Sequence, residues 1–351
     1  MDRVPAVPVV ECVDPLPQPG WDASLRSFPE ATFFHSAVWA RVLVDTYGFK
    51  PTYLVVREEG ELTGILPCME VPGFRSDRRG VGLPFTDEVA PLARTAAQAD
   101  LLFARLQQEG RQRGWTSWEC RGGRSRLPGA PASVAYWGHT LDLGVGEAQL
   151  FGDFAPSVRR ALRKADRQEL EVRAEDSAVA MDAYYALHCR TRQKHGIPPQ
   201  PRRFFQNILR NVISLSHGRL FLVRHRGRPV AGAIFFHWRG QALYKFGASD
   251  ESSLELRPNN LLMWHAIESY CDWGFDQLDF GRTSLANPGL RRFKLGWGAS
   301  ERLIEYLKYD LRRDGYRQEP DQAQGLHNHL FRWLPLPISR WVGEFLYPRM
   351  A

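Results

Sequence analysis

Residues 220–236 read Leu220-Phe221-Leu222-Val223-Arg224-His225-Arg226-Gly227-Arg228-Pro229-Val230-Ala231-Gly232-Ala233-Ile234-Phe235-Phe236. Two apolar runs rich in aromatic and β-branched residues flank a basic segment with a glycine, which predicts a β-hairpin turning at His225 to Arg228. Residues 53–67, YLVVREEGELTGILP, follow the same plan: strand, Arg, glycine turn, and a second strand containing a glycine. A helix precedes each hairpin, and a helix leading into a strand follows it, over Ala97 to Cys120 in one half and Leu261 to Phe280 in the other. Strand-turn-strand units are common enough for coincidence, but the shared order of neighbours favours a diverged duplication.

Composition bounds the rest. A chain of 351 residues with 44% hydrophobic and 12% aromatic residues has material for about two packed domains and is not disordered. No apolar run approaches the roughly 18 residues needed to span a bilayer, and the N-terminus lacks a basic-then-apolar leader, so a cytoplasmic protein is expected. The prolines between residues 4 and 20 predict an extended segment there. Cys12, Cys68, Cys120, Cys189 and Cys271 are dispersed, which fits a reducing compartment rather than a disulfide framework. The histidines form no HExxH arrangement, and His327 with His329 lack a third ligand type, so no metal is expected.

The net charge of +7 favours an anionic partner: nucleic acid, a phosphorylated substrate or an acidic membrane surface. The charge is clustered. Arg159, Arg160, Arg163, Lys164 and Arg167 lie in one stretch, read as a single basic helix from Phe151 to Glu169, and Arg291, Arg292 and Lys294 form a second group. Such a helix suits phosphates, or is simply a solvated face.

A short strand, Gln277 to Phe280, runs into Gly281 and a polar loop that ends in Lys294, framed by Phe293 and Trp297. Strand ends followed by polar loops are where α/β proteins hold ligands. A surface turn with a solvated Lys is the plain alternative.

The runs FFHSAVWARVL, YGFKPTYLVV and VGLPFTDEVAPLA resemble the N-terminal half of the Fem-type (FemAB-like) acyltransferases. The second half resembles them more closely, through YALHCRTRQKHGIPPQPRRFF, LRPNNLLMWHAIESYCDWGFDQLDFGRT and GLRRFKLGWGA. The resemblance covers roughly residues 32–310. It implies an α/β (α+β) fold of two tandem acetyltransferase-like (GNAT) domains, each a mixed twisted sheet flanked by helices, over residues 1–150 and 151–312, with a tail at 313–351. It implies transfer of an acyl or aminoacyl group to a primary amine in cell-envelope, peptidoglycan-precursor or exopolysaccharide chemistry. Lys294 occupies the family's FKxGFG-like signature, with Trp297 in place of the usual Phe, and Arg192 and His195 fall in its TRxRxG-like segment.

Aminolysis of an activated ester requires a neutral amine, a route for its proton and stabilisation of an oxyanion. Lys294 is the candidate for that charge. Asp279 and His195 are candidate bases, although Asp279 equally suits a cap or a partner for Arg282. Arg192, Arg282, Phe293, Trp297, Arg163 and Lys164 are candidate substrate contacts. Gly232 either marks a splayed strand whose N–H groups meet the acyl carbonyl, as the resemblance suggests, or a plain bulge. No cofactor is expected, since the donor is a co-substrate: aminoacyl-tRNA, or alternatively acyl-coenzyme A. The turn (Q/R)xxGx(G/A) that holds coenzyme A pyrophosphate is absent; its nearest counterpart, Leu254 to Asn260, contains no glycine. A coenzyme-A-dependent N-acetyltransferase for an amino sugar and a non-catalytic scaffold or tRNA-binding module are the alternatives. The aromatic, Arg-containing tail from Leu326 to Met350 predicts a short helix from about Ser339 to Leu346, packed on the protein or lying on the inner face of a membrane.

Overall fold

The computed structural model describes residues 9–74, 77–319 and 331–350. His327, His329 and the first five residues of the expected tail lie outside them.

Both hairpins are present, and they match in detail. Tyr53–Glu58 pairs with Glu61–Leu66, and Gly218–His225 pairs with Arg228–Trp238, both antiparallel. Each turns through two residues of positive φ, Glu59 (51°) with Gly60 (86°) and Arg226 (52°) with Gly227 (78°). This is the type I′ turn, whose twist matches that of the strands it joins. Each ladder also slips at the same place, between Val56 and Arg57 and between Val223 and Arg224. The two strand glycines are not equivalent: Gly64 pairs with Val56, whereas the partner of Val223 is Ala231 and Gly232 lies one residue beyond.

The chain divides into two compact units, one of residues 1–135, 304–320 and 348–351, the other of residues 136–303 and 321–347. The first unit holds an antiparallel sheet in the order Val9–Val13, Tyr53–Glu58, Glu61–Leu66, Leu92–Ala93. Its helix Ala96–Gln112 has a Thr95–Gln98 capping box and stops before Gly114 at φ 68°. Its strand Ser117–Arg121 takes as antiparallel partner residues 306–310. In the second unit the order is Leu170–Glu175, Gly218–His225, Arg228–Trp238, Gln241–Ser249, Gln277–Ser284, and then residues 136–142 of Val134–Asp142. The strand that follows each half's helix-strand unit therefore completes the other unit's sheet. That exchange is why compact units do not divide at a single point near residue 150.

Three local expectations change. The basic helix is two helices, Glu147–Asp153 and Pro156–Ala165, because Pro156 cannot donate within a helix but suits its first position. Lys294 stands on a helix, Pro288–Leu295, started by Asn287, whose side chain accepts from the Leu290 N–H at 3.0 Å. The tail helix runs from Leu336 to Leu346, since Pro337 falls in its tolerant first turn.

The helix Pro258–Asp272 covers the second unit's sheet through Leu262, Met263, Ala266, Ile267 and Tyr270. Glu268 on it is half-buried, and burial together with Glu147, Asp272 and Asp166 pushes its carboxyl up to about 7. Between the ordinary 4.5 and about 7 the unfolded chain ionises first, so folding loses stability as pH rises through that window. Glu268→Gln should raise the thermal midpoint at pH 8 and leave it nearly unchanged at pH 4; equal shifts at both would mean the group does not titrate this way.

Candidate active site

Strands Gln241–Ser249 and Gln277–Ser284 run parallel but pair only at Gln241–Gln277, Ala242–Leu278 and Leu243–Asp279. Beyond that they part into a V. A bulge on each arm bends it away. On the first arm Ile234 faces Phe246 and Phe235 faces Tyr244, which leaves Lys245 as the extra residue. On the second arm Asp279 faces Thr140 and Arg282 faces Gly138, so Phe280 and Gly281 share one partner position, that of His139. Gly281 adopts φ 70°, and its N–H donates to Asp279 Oδ1 at 2.6 Å. The strand thus continues past Phe280, and Asp279 is the brace of a bulge.

Lys294 closes this bulge. Its ammonium donates to the carbonyls of Gly281 at 2.8 Å and Arg282 at 3.1 Å, and the residue is only 2% exposed. Beside it His139 is fully buried, and neither ring nitrogen has a hydrogen-bond partner among the described residues; Glu301 Oε2 lies 3.7 Å from Nε2. Burial, then the Lys294 charge, with Arg291 adding to it against Glu301, push the imidazole down to about 4, so it is neutral at physiological pH. Arg282 lies over the Tyr136 ring at 4.3 Å, while Arg291 lies over Trp137 at 4.5 Å and donates to Glu301 at 2.8 Å.

On the first arm, Ser249 N–H donates to Thr191 Oγ1 at 3.1 Å. By strand alternation the N–H of Gly247, two residues back, faces the same side, into the V. A methyl group at Gly247 would lie 1.8 Å from the Tyr244 hydroxyl, so the phenol folds over the glycine. Burial pushes that phenol up to about 12, and it carries its proton.

The remaining candidates scatter. Trp297 is fully buried, edge-on to Phe154 at 5.0 Å, and belongs to the core rather than to a ligand. Gly232 sits mid-sheet, where an added methyl would meet Leu222 at 2.7 Å and Tyr184 at 3.0 Å. Its strand is paired on both sides, so the splay lies between the next two strands instead. Arg192 donates to the Tyr347 hydroxyl at 2.7 Å and so holds the tail. His195 is exposed at the same helix end, and partial burial with Arg192, Lys194 and Arg332 lowers its affinity for a proton.

Phe293 and Lys164 line a cavity of about 510 Å³ together with Arg160, Arg257, Asn260 and Arg292. Arg163 stands exposed outside this lining. Arg257 caps the helix Pro258–Asp272 from a left-handed conformation, φ 63°. It occupies the turn whose lack of glycine argued against coenzyme A. Four cations and a 15-residue helix's N-terminus meet here, a setting for anions. Sequence reasoning missed His139 and Arg257. An isolated histidine in a strand carries no motif, and an Arg in a left-handed cap is visible only in φ.

Replacing Lys294 with Met strands the buried Gly281 carbonyl and the part-buried Arg282 carbonyl and should cost about 2–4 kcal/mol of stability. It should also raise the His139 titration seen by NMR; an unmoved titration and unchanged midpoint would separate Lys294 from the bulge.

Residues 153–301 match the family model described as an acetyltransferase (GNAT) domain. Comparison with curated proteins returned no match. Among solved structures the chain is similar to FemX, with a TM-score of 0.67 at 13% identity over 87% of this chain and 98% of that one. It is also similar to a tandem GNAT protein from the clavulanic acid biosynthesis pathway, with a TM-score of 0.58 at 12% identity over 87% and 99%. A third is the C-terminal domain of a putative lysylphosphatidylglycerol synthetase from Agrobacterium fabrum, with a TM-score of 0.54 at 14% identity over 84% and 91%. The second half of the chain therefore matches the GNAT domain model, and the chain as a whole has the fold of the tandem GNAT protein and of FemX.

Proposed function

We propose that the protein is an N-acyltransferase that moves an acyl or aminoacyl group from a phosphate-bearing donor to a primary amine of a cell-envelope or polysaccharide-linked acceptor. The observation that carries this reading is the V between Gln241–Ser249 and Gln277–Ser284, with the four-cation cavity at the head of the helix that follows its first arm. The acyl carbonyl accepts from the Gly247 N–H, the amine nitrogen attacks the carbonyl carbon, and the donor's sulfur or ribose oxygen leaves with the electron pair. Tyr244, still protonated, stands where a leaving group can take its proton, and the proton that the amine nitrogen loses on acylation passes through water to restore the phenol. Lys294 acts by holding the second arm, a positioning role, rather than by direct charge on the oxyanion.

Both donor classes share phosphate chemistry. Arg257 in its left-handed cap favours compact recognition of a coenzyme A pyrophosphate as the second reading, alongside aminoacyl-tRNA. The likeness to a lysylphosphatidylglycerol synthetase domain adds lipid-bound acceptors to those worth testing. A non-catalytic scaffold has no need of a bulged, braced V.

Calorimetry with coenzyme A and filter binding with tRNA test the donor. Charge reversal at Arg257 and Arg292 should weaken the donor that binds by tenfold or more, an effect on the order of 1.4 kcal/mol, with the thermal midpoint unchanged. Wild-type protein that binds neither donor, or a variant that binds as well, removes the cavity from the reaction.

A further inference from the structure

The tail helix Leu336–Leu346 is docked through its small residues. Ser339 and Gly343 are buried, and Tyr347 continues that row one turn further. A methyl group at Gly343 would lie 2.1 Å from the Pro199 carbonyl oxygen, so the helix approaches the 198–201 segment as closely as a glycine allows. The Tyr347 hydroxyl donates to the Pro198 carbonyl at 3.1 Å and accepts from Arg192, and Gln193 donates to the Leu334 carbonyl at 2.9 Å. Arg340 lies over the Tyr185 ring at 5.4 Å.

With the small face turned inward, the large apolar residues are turned out. Ile338, Trp341 and Phe345 follow one another at three and four residues, the spacing of one helical stripe, and are 49%, 69% and 55% exposed. Trp341 and Phe345 stack with ring centroids 6.5 Å apart, and Trp333 just before the helix is 87% exposed. The charged residues between 331 and 350 are Arg332, Arg340 and Arg349 against Glu344 alone, in a chain of net charge +7. An aqueous surface gains nothing from a ridge of two tryptophans and a phenylalanine. Tryptophan and phenylalanine beside arginine suit the headgroup boundary of an anionic bilayer, where the rings leave water and the guanidiniums meet lipid phosphate.

We propose that this ridge is a docking surface for an anionic lipid membrane, seated by Trp333, Ile338, Trp341 and Phe345 and steered by Arg332 and Arg340. The inner face of the helix remains bound to the 198–201 segment, so docking requires no unfolding. The helix lies in the plane of the interface, since among the described residues no helix is long and apolar enough to cross a membrane.

The test is independent of the acyl-transfer reading, because it measures binding without turnover. The full chain is sedimented with vesicles of phosphatidylcholine alone and of phosphatidylcholine with phosphatidylglycerol, with tryptophan emission recorded in parallel. The protein should bind the anionic vesicles, shift its emission to the blue, and dissociate as salt rises. The double variant Trp341→Ser with Phe345→Ser, exposed positions whose loss should leave the circular dichroism unchanged, should weaken binding by about tenfold or more. Reversing Arg332 to Glu should weaken the preference for anionic vesicles. Absence of binding by the intact chain, equal binding by the double variant, or a concentration-dependent dimer that the double variant dissolves would overturn the proposal.

Discussion

The second unit's site depends on one buried cation. An ammonium withdrawn from water costs several kcal/mol unless its donors are satisfied. Lys294 meets that demand with the carbonyls of Gly281 and Arg282, which an unbulged ladder would have engaged across the sheet. The lysine and the bulge therefore require each other. Without the bulge these carbonyls would not converge on the ammonium, and without the ammonium the buried Gly281 carbonyl would be left without this partner. Because the bulge turns Gln277–Ser284 away from its parallel neighbour, the V exists only while that pairing holds.

The same charge shapes its surroundings. His139 lies opposite the bulge and is kept neutral by burial and by Lys294, while Arg282 and Arg291 spread their charge over the Tyr136 and Trp137 rings. Positive charge is thus held along the second arm by rings and by Glu301, and concentrated again in the cavity at the head of Pro258–Asp272. For the anionic donor proposed above, that field would be organised before it arrives.

The architecture was legible where local chemistry decides it. Two hairpins with glycine turns, helices ending at Gly48, Gly114 and Gly274, and capping residues such as Ser36 and Thr95 all act within a few residues of one another. The site was less legible because its determinants lie far apart in sequence. Lys294 stood out, yet nothing in its neighbours tells that its ammonium reaches back to Gly281. Trp297 beside it reads like a ligand-facing ring, but its placement against Phe154 is a matter of packing. Arg192 looked like a cleft residue and instead holds Tyr347, a contact across half the chain. The resemblance to Fem-type enzymes supplied the order of the motifs, and side-chain directions had to come from the structure.

The two hairpins also explain why the glycines misled. In both halves the turn is type I′ and the ladder slips one residue after the same valine, so the constraint common to both is the turn with its bulge. A bulge next to a tight turn adds twist, and twist sets the angle at which the following strands leave the sheet. Gly64 and Gly232 occupy different register positions and relieve different contacts, Val56 and Leu102 for one, Leu222 and Tyr184 for the other. What the halves share is a device for twisting a sheet. Among the described residues the second half adds to it the bulge at Lys245 and the braced bulge at Gly281, and with them a V whose first arm leads into the helix at the head of the basic cavity.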